Sequence, residues 1–555
     1  MNQFSPQFVQ QMNDVYHCQS MGNLAQAAEL LNLMLKSSEG HEYILRALVQ
    51  INVAQEKTEQ AATCLESLIK ITPGTIYYSV QLANFYDSRG HKEAAITCLQ
   101  RYIDCNTSDP HGYFQLAVLL HRHGVYQKAL TQFSKSLSNQ LTNRYEVYLH
   151  MADIHQKLRN EVKAIEVLET GLKENEKCIP LLFNLAGLNE ELGEKASALA
   201  LYHKILAIEP DHVGALTRIA YAVEWNDPDS NIIRQIARNI SKTTTSEFDR
   251  EGLHYSLGKI LDDCQQYDKA FRHYKAANII GKSRIPKYDS KQQQKLTSDI
   301  ISVCNRTWMA EQKSNNDVSP IFICGMFRSG STLVEQILSG HKMLAAAGEV
   351  NLINRIVEQS FSPFPQSLLS NPSEVFESAA QQYMSYIAKA FPGKKRFIDK
   401  KPDNFLYLGL IKKMFPRAKI ICTDRNPLDI SLSVYFQQLS EALPYATELA
   451  DIGHYYKEFK KLVSHWQEVL GHNEFLLFDY DKLVDSPESM IRSLLDFCEL
   501  EWDANCLEFY KHPNAIKTAS IWQVRQPLYS SSSGRWKHYQ GFLHELQRVL
   551  VTDGE

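Results

Sequence analysis

Alanine recurs in this chain at an interval that only a stack of helix pairs satisfies. Ala27, Ala61, Ala95 and Ala129 stand 34 residues apart, and the series continues at Ala164 and Ala198 with one slip of a single residue. Five residues before four of these alanines stands a glycine: Gly22, Gly90, Gly124 and Gly193. Twelve residues before the later ones comes a small pair, Leu82–Ala83, Leu116–Ala117, Met151–Ala152 and Leu185–Ala186. Pro73 and Pro210, each twelve residues past an alanine of the series, mark where a second helix stops. Paired helices approach closely only where side chains are short. Each unit leaves an apolar face uncovered, so neighbours must stack.

A 34-residue unit of two helices is the pattern of tetratricopeptide repeats. A final unit runs from Leu257–Gly258 through Ala270 and Ala277, after a more irregular stretch at 226–246. Residues 1–280 are therefore expected to form an all-α repeat solenoid. Its concave groove would hold a peptide or partner protein, the acceptor of a reaction included; a spacer or a homodimer contact is the alternative use. Residues 281–318, with Lys282, Arg284, Lys287 and the run Gln292–Gln294, are expected to be a helical linker.

From Pro320 the grammar changes. Ile321–Cys324, Arg396–Ile398, Lys419–Cys422 and Phe475–Phe478 are short apolar strands separated by helical stretches. That alternation predicts a parallel sheet covered by helices over 319–555, a P-loop-like α/β domain beside the α solenoid. At 555 residues the chain is too long for one core, so a multidomain protein is expected. The net charge of −4 gives no basic excess for nucleic acid. No segment approaches the ~18 apolar residues of a membrane span. The polar start, Met1 to Pro6, lacks the basic-then-apolar pattern of a leader, and the 11 scattered cysteines lack metal or redox spacing. A cytoplasmic protein with reduced thiols and no metal site is the expectation.

The segment Ile321–Thr332 (IFICGMFRSGST) has the outline of a phosphate-binding loop. A strand runs into Gly325, and four residues later Gly330, Ser331 and Thr332 open a helix. Such a loop aims backbone N–H groups and the positive helix end at an anion. The lysine that reaches a terminal phosphate in nucleotide triphosphatases is replaced by Ser331, and the cation is Arg328. Further along, Gly348–Glu349 closes a small-residue loop with a carboxylate suited to general-base work. Lys400 and Lys401 sit at a strand end. Arg425 supplies a planar fork for a phosphate, and Ser433 lies eight residues on.

With these residues the second half resembles the sulfotransferases that use 3′-phosphoadenosine 5′-phosphosulfate (PAPS). Within them it is most similar to the tyrosylprotein sulfotransferase branch and its repeat-fused bacterial relatives, from about Pro320 to Tyr539. The resemblance implies that Arg328, Ser329, Gly330, Ser331 and Thr332 hold the 5′-phosphosulfate. It implies Glu349 as catalytic base, Lys400 as the cation that stabilises the transition state, and Arg425 with Ser433 as the grip on the 3′-phosphate. Tyr480 would contact the nucleotide. Ser520, in a segment with Gln523 and Val524, would sit near the sulfuryl group, and Arg535–Trp536 would close the site. The implied catalytic set is thus Glu349, Lys400, Arg328 and Ser520, with PAPS as donor, no metal, and an acceptor hydroxyl such as protein tyrosine. Two other readings stay open: a P-loop kinase or ATPase, favoured by Asp424 after a strand, and a repeat scaffold with an inactive transferase domain.

Overall fold

The computed structural model describes residues 4–36, 41–138, 141, 143–311, 314, 316–391, 396–439, 441–512, 516, 521–528 and 533–551. The chain divides into two compact units, Met1–Asn184 and Leu185–Glu555. Both the end of the repeats expected at residue 280 and the onset of strands near 319 lie inside the second.

The first unit is built of helix pairs, among them Leu24–Met34, Thr58–Ile71, Lys92–Cys105, Tyr126–Ser138 and Glu161–Glu174, each carrying one alanine of the series. Ala27, Ala95, Ala129 and Ala164 are wholly buried and Ala61 nearly so, as the close-approach argument requires. Ahead of each alanine the chain leaves one helix and enters the next through a residue with positive φ. Gly22, Gly90 and Gly124 take that position, and so do Glu56 (φ 59°) and Arg159 (φ 54°). The following N–H reaches back five residues: Asn23 to Cys18, Lys57 to Asn52, His91 to Tyr86, Val125 to Leu120, Asn160 to His155. This left-handed helix stop satisfies a carbonyl that the helix end would otherwise leave open.

In the second unit the same stop recurs at Gly193 and at Gln265 (φ 59°), ahead of buried Ala198 and Ala270. Helices Val213–Ala222, Glu247–Asp263, Tyr267–Arg284 and Ser290–Val303 lead to the sheet. Five parallel strands follow: β1 (Ile321–Gly325), β2 (Leu344–Gly348), β3 (Arg396–Lys400), β4 (Lys419–Asp424) and β5 (Phe475–Asp479), in the order β2-β3-β1-β4-β5. The parallel α/β expectation holds. Every residue of β1 is buried: Ile321 and Ile323 join the core that holds Val334, Ile337 and Leu494, and the Phe322 ring lies near those of Tyr383 and Phe415. One strand differs from the sequence reading. Leu344–Gly348 reads as a loop because alanine has little strand preference, yet it pairs with β3 as an edge strand. The chain after β1 turns toward β2 and the chain after β4 toward β5, so the carboxyl ends of β1 and β4 flank the point where strand order reverses. Ligands of such sheets bind there.

Candidate active site

The loop after β1 occupies that point. Gly325 has φ +144°, and a Cβ on it would lie 2.5 Å from Thr423 Oγ1 and 2.6 Å from the Thr423 carbonyl. Gly330, φ +102°, would place a Cβ 2.5 Å from the Tyr480 ring. Only glycine fits either place. Gly330 also starts helix Ser331–Ser339 with no side chain capping it, so the first amides of that helix point into the loop rather than at a cap. Arg328 adopts φ +73°, which turns its side chain across to the helix after β4. There its Nε donates to Ser433 Oγ (2.9 Å), and its Nη2 donates to Gln523 Oε1 (2.8 Å).

Asn426 and Pro427 explain the position of Ser433. The Asn426 side chain accepts from the Leu428 and Asp429 amides, and proline fills the first helical turn, so helix Pro427–Tyr435 begins directly after Arg425. Ser433 then faces the loop, while Ser431 is wholly buried against the Pro427 carbonyl (2.7 Å). Arg425 lies over the Tyr480 ring, 4.7 Å from its centroid. Together Arg328, Gly330, Ser331, Thr332, Arg425, Ser433, Tyr480, Gln523 and Arg535 line one open cleft at the carboxyl ends of β1 and β4.

Ser329 is not among them. Its hydroxyl is wholly buried, donating to the Met326 carbonyl (2.6 Å) and sharing a hydrogen bond with Thr423 (2.6 Å). It shapes the loop from behind instead of facing the cleft. Ser520 lies outside the described residues.

On the other side of β1 the ends of β2 and β3 bring together a second set. Lys400, 1% exposed, donates to Glu349 and stands 3.8 Å from Glu335, a buried carboxylate on helix Ser331–Ser339. The base and cation expected from resemblance are thus adjacent, and Glu335 joins them unforeseen. A charged residue inside the apolar run Leu333–Leu338 was the available signal. Beside Lys400, Asp399 is wholly buried and accepts from Tyr383 and from Asn404 Nδ2 (3.0 Å). Burial, with a smaller push from Glu335, raises its carboxyl to about 7. Lys401 turns outward to Asn351 (2.8 Å) and Asn354 (2.6 Å).

Two further carboxylates escaped sequence reading. Asp429, on the same helix as Ser433, accepts from the amides of Gly534 (2.7 Å) and Trp536 (2.9 Å). Asp262, on a repeat helix, binds Arg535 and Tyr539.

Comparison with known proteins agrees with this architecture. Residues 320–504 match the sulfotransferase family. An uncharacterized protein of Aquifex aeolicus is 31% identical over 422 residues, 73% of this chain and 54% of its own length. A protein-tyrosine sulfotransferase of Drosophila melanogaster is 24% identical over 244 residues, 40% of this chain and 48% of that one. Tetratricopeptide repeat protein 8 of Mus musculus is 28% identical over 105 residues, 19% of this chain and 20% of that protein. The chain spans about half the length of the first two.

Proposed function

We propose, for a chain that carries a sulfotransferase-family domain behind tetratricopeptide repeats, that it transfers a sulfuryl group from PAPS to an acceptor hydroxyl. One observation carries the reading: a cleft lined by three guanidiniums and an uncapped helix start lies beside a buried lysine paired with a glutamate. The cleft residues fit an adenosine bisphosphate with phosphates at both ends. The loop amides and Arg328 would hold the 5′ side, and Arg425 with Ser433 the 3′ side. Tyr480 offers an aromatic face next to both. When bound, PAPS supplies an activated sulfuryl group on a phosphate leaving group.

The chain's own part is to position the donor and neutralise charge. Little covalent chemistry falls to the protein in transfers of this kind. Fixed amides and cations aimed at the leaving phosphate are what should lower the barrier most. Glu349, half-exposed where Lys400 is buried, would take the proton from the acceptor hydroxyl at a carboxylate oxygen as the new S–O bond forms. Lys400 keeps Glu335 as a second counter-charge when Glu349 becomes neutral. The acceptor we favour is a protein tyrosine, brought by a peptide in the repeat groove; the similarity to protein-tyrosine sulfotransferases supports it.

The kinase alternative needs Asp424 to hold a metal ion. That carboxylate instead accepts from Lys460 Nζ (2.8 Å) and the Arg425 amide (3.0 Å), and Ser331 stands where a phosphate-reaching lysine is required. Calorimetry with adenosine 3′,5′-bisphosphate against ATP–Mg²⁺ separates the two, with tight binding expected for the bisphosphate alone. Transfer of radiolabelled sulfate from PAPS to proteins or glycans of a cell extract tests the activity, and mass spectrometry of the labelled product identifies the acceptor. A chain that binds the bisphosphate but labels nothing would leave the inactive-scaffold reading standing.

A further inference from the structure

The cleft is closed on its outer side by residues 521–528, and that segment is held by the repeats. Gln523, Val524, Gln526, Pro527 and Leu528 line the cleft, and Gln523 takes a hydrogen bond from Arg328. The neighbouring Trp522 donates its indole N–H to Glu190 Oε1 (3.0 Å). Glu190 is 3% exposed; its other oxygen accepts from Tyr202 (2.9 Å) and faces Arg218 (3.5 Å), so the carboxylate is clamped in one orientation. Arg525 donates to the Glu191 carbonyl (2.8 Å), and its guanidinium passes so near Gly193 that a Cβ there would lie 2.9 Å from Nε. Farther along, Asp262 holds Arg535 and Tyr539, while Asp429 fixes the Gly534 and Trp536 amides. Burial pushes the Tyr221 phenol up, and the charges of Arg328 and Arg535 pull it back.

We infer that Glu190 and Asp262 are positioning residues of the donor cleft, Glu190 acting through Trp522 on the wall that orients Arg328, and Asp262 acting through Arg535. The inference rests on the donor reading given above. A donor site in this protein is therefore shared property: the sheet supplies the loop, and the repeats fix the wall that completes it. Hydrogen bonds to a buried carboxylate are the stronger kind, so each anchor carries a measurable share of donor affinity.

The test uses the full chain and three variants: Trp522→Phe, which keeps the ring and removes the N–H, Glu190→Ala, and Asp262→Asn. Calorimetry with adenosine 3′,5′-bisphosphate is expected to show roughly tenfold weaker binding for Trp522→Phe and for Asp262→Asn. In transfer assays the loss falls on the donor KM and not on kcat. The Glu190→Ala, Trp522→Phe double variant binds no more weakly than Glu190→Ala. Amide hydrogen exchange over 521–528 accelerates in Trp522→Phe while the strands stay protected. Unchanged affinity and exchange in Trp522→Phe would overturn the inference, as would a loss confined to kcat. A wild-type chain that binds ATP–Mg²⁺ and no bisphosphate refutes the donor reading instead. Exchange still judges the anchor in that case, since acceleration sustains it and no change removes it.

Discussion

Gly90 and Gly330 both bend the backbone into positive φ, yet they live under different rules. Gly90 ends a repeat helix, and a Cβ added to it meets nothing within 4 Å. Gly330 opens the loop helix, and the same Cβ would strike the Tyr480 ring at 2.5 Å. Among the described residues the repeat stop is used seven times, and Glu56, Arg159 and Gln265 occupy it without glycine. The loop exists once. Where a structural device is copied, most copies absorb a poor residue at the cost of local backbone strain alone; Gly193, against Arg525, is the copy that packing also holds. Where the device is single, packing and ligand geometry meet at one atom and leave no substitute.

That contrast predicts effects of falling size. Lys400→Ala and Glu349→Ala should lower sulfuryl transfer by ~10²- to 10⁴-fold in a labelled-sulfate assay. Glu349→Ala should bind adenosine 3′,5′-bisphosphate about as well as wild type by calorimetry, and a lost affinity would refute its role as base. Gly330→Ala should cost at least ~2 kcal/mol, through the Tyr480 clash and the φ of +102°, and weaken bisphosphate binding with it. Gly90→Ala should cost only about 1 kcal/mol in denaturant unfolding; equal losses at the two glycines would erase the distinction.

Asp399 gives a pH test of the single-copy side. Its carboxyl, raised to about 7 by burial, is proton-bound in the fold where the unfolded chain has released the proton. The stability it contributes is complete below the unfolded pKa near 4 and is lost as pH rises through the folded value. Asp399→Asn should therefore gain on wild type between pH 4 and 7, rising to about 4 kcal/mol in urea titrations. A constant difference across that range would contradict the assignment. The smallest effect belongs to the repeats: Glu56→Gly, Arg159→Gly and Gln265→Gly should each stabilise by up to about 1 kcal/mol and add together, because the sites are far apart in sequence and rest on the same local strain.

The repeats were legible because one period and one small residue encode them. The loop was legible because its glycines and Arg328 are contiguous. Lys400 and Glu349 are 51 residues apart and became a pair only through resemblance. Glu335, beside Gln336, interrupts a helix otherwise rich in core residues, but nothing in the helix says which cation it faces. Ser329 stands between two loop residues that face the cleft, yet the bond to Thr423 turns it away; that contact spans 94 residues and leaves no local trace. Edge strand β2 was missed because three alanines carry no strand preference of their own, and pairing with β3 decides its form. Pairings as distant as Trp522 with Glu190, 332 residues apart, lie beyond what one sequence states.

The Asp262–Arg535 pair bears on how such a protein is taken apart. A chain cut at residue 318, where strands replace repeats in the sequence, would keep every residue of the loop and lose Asp262 and Glu190 together. Arg535, a third exposed, would then be left without its carboxylate, and the Trp522 indole without its acceptor. Excision at that boundary yields a fragment with the chemistry written in it and the scaffold for it missing. Repeats and sheet domain are, on this account, coupled parts that a cut at that boundary would separate only at the donor cleft's expense.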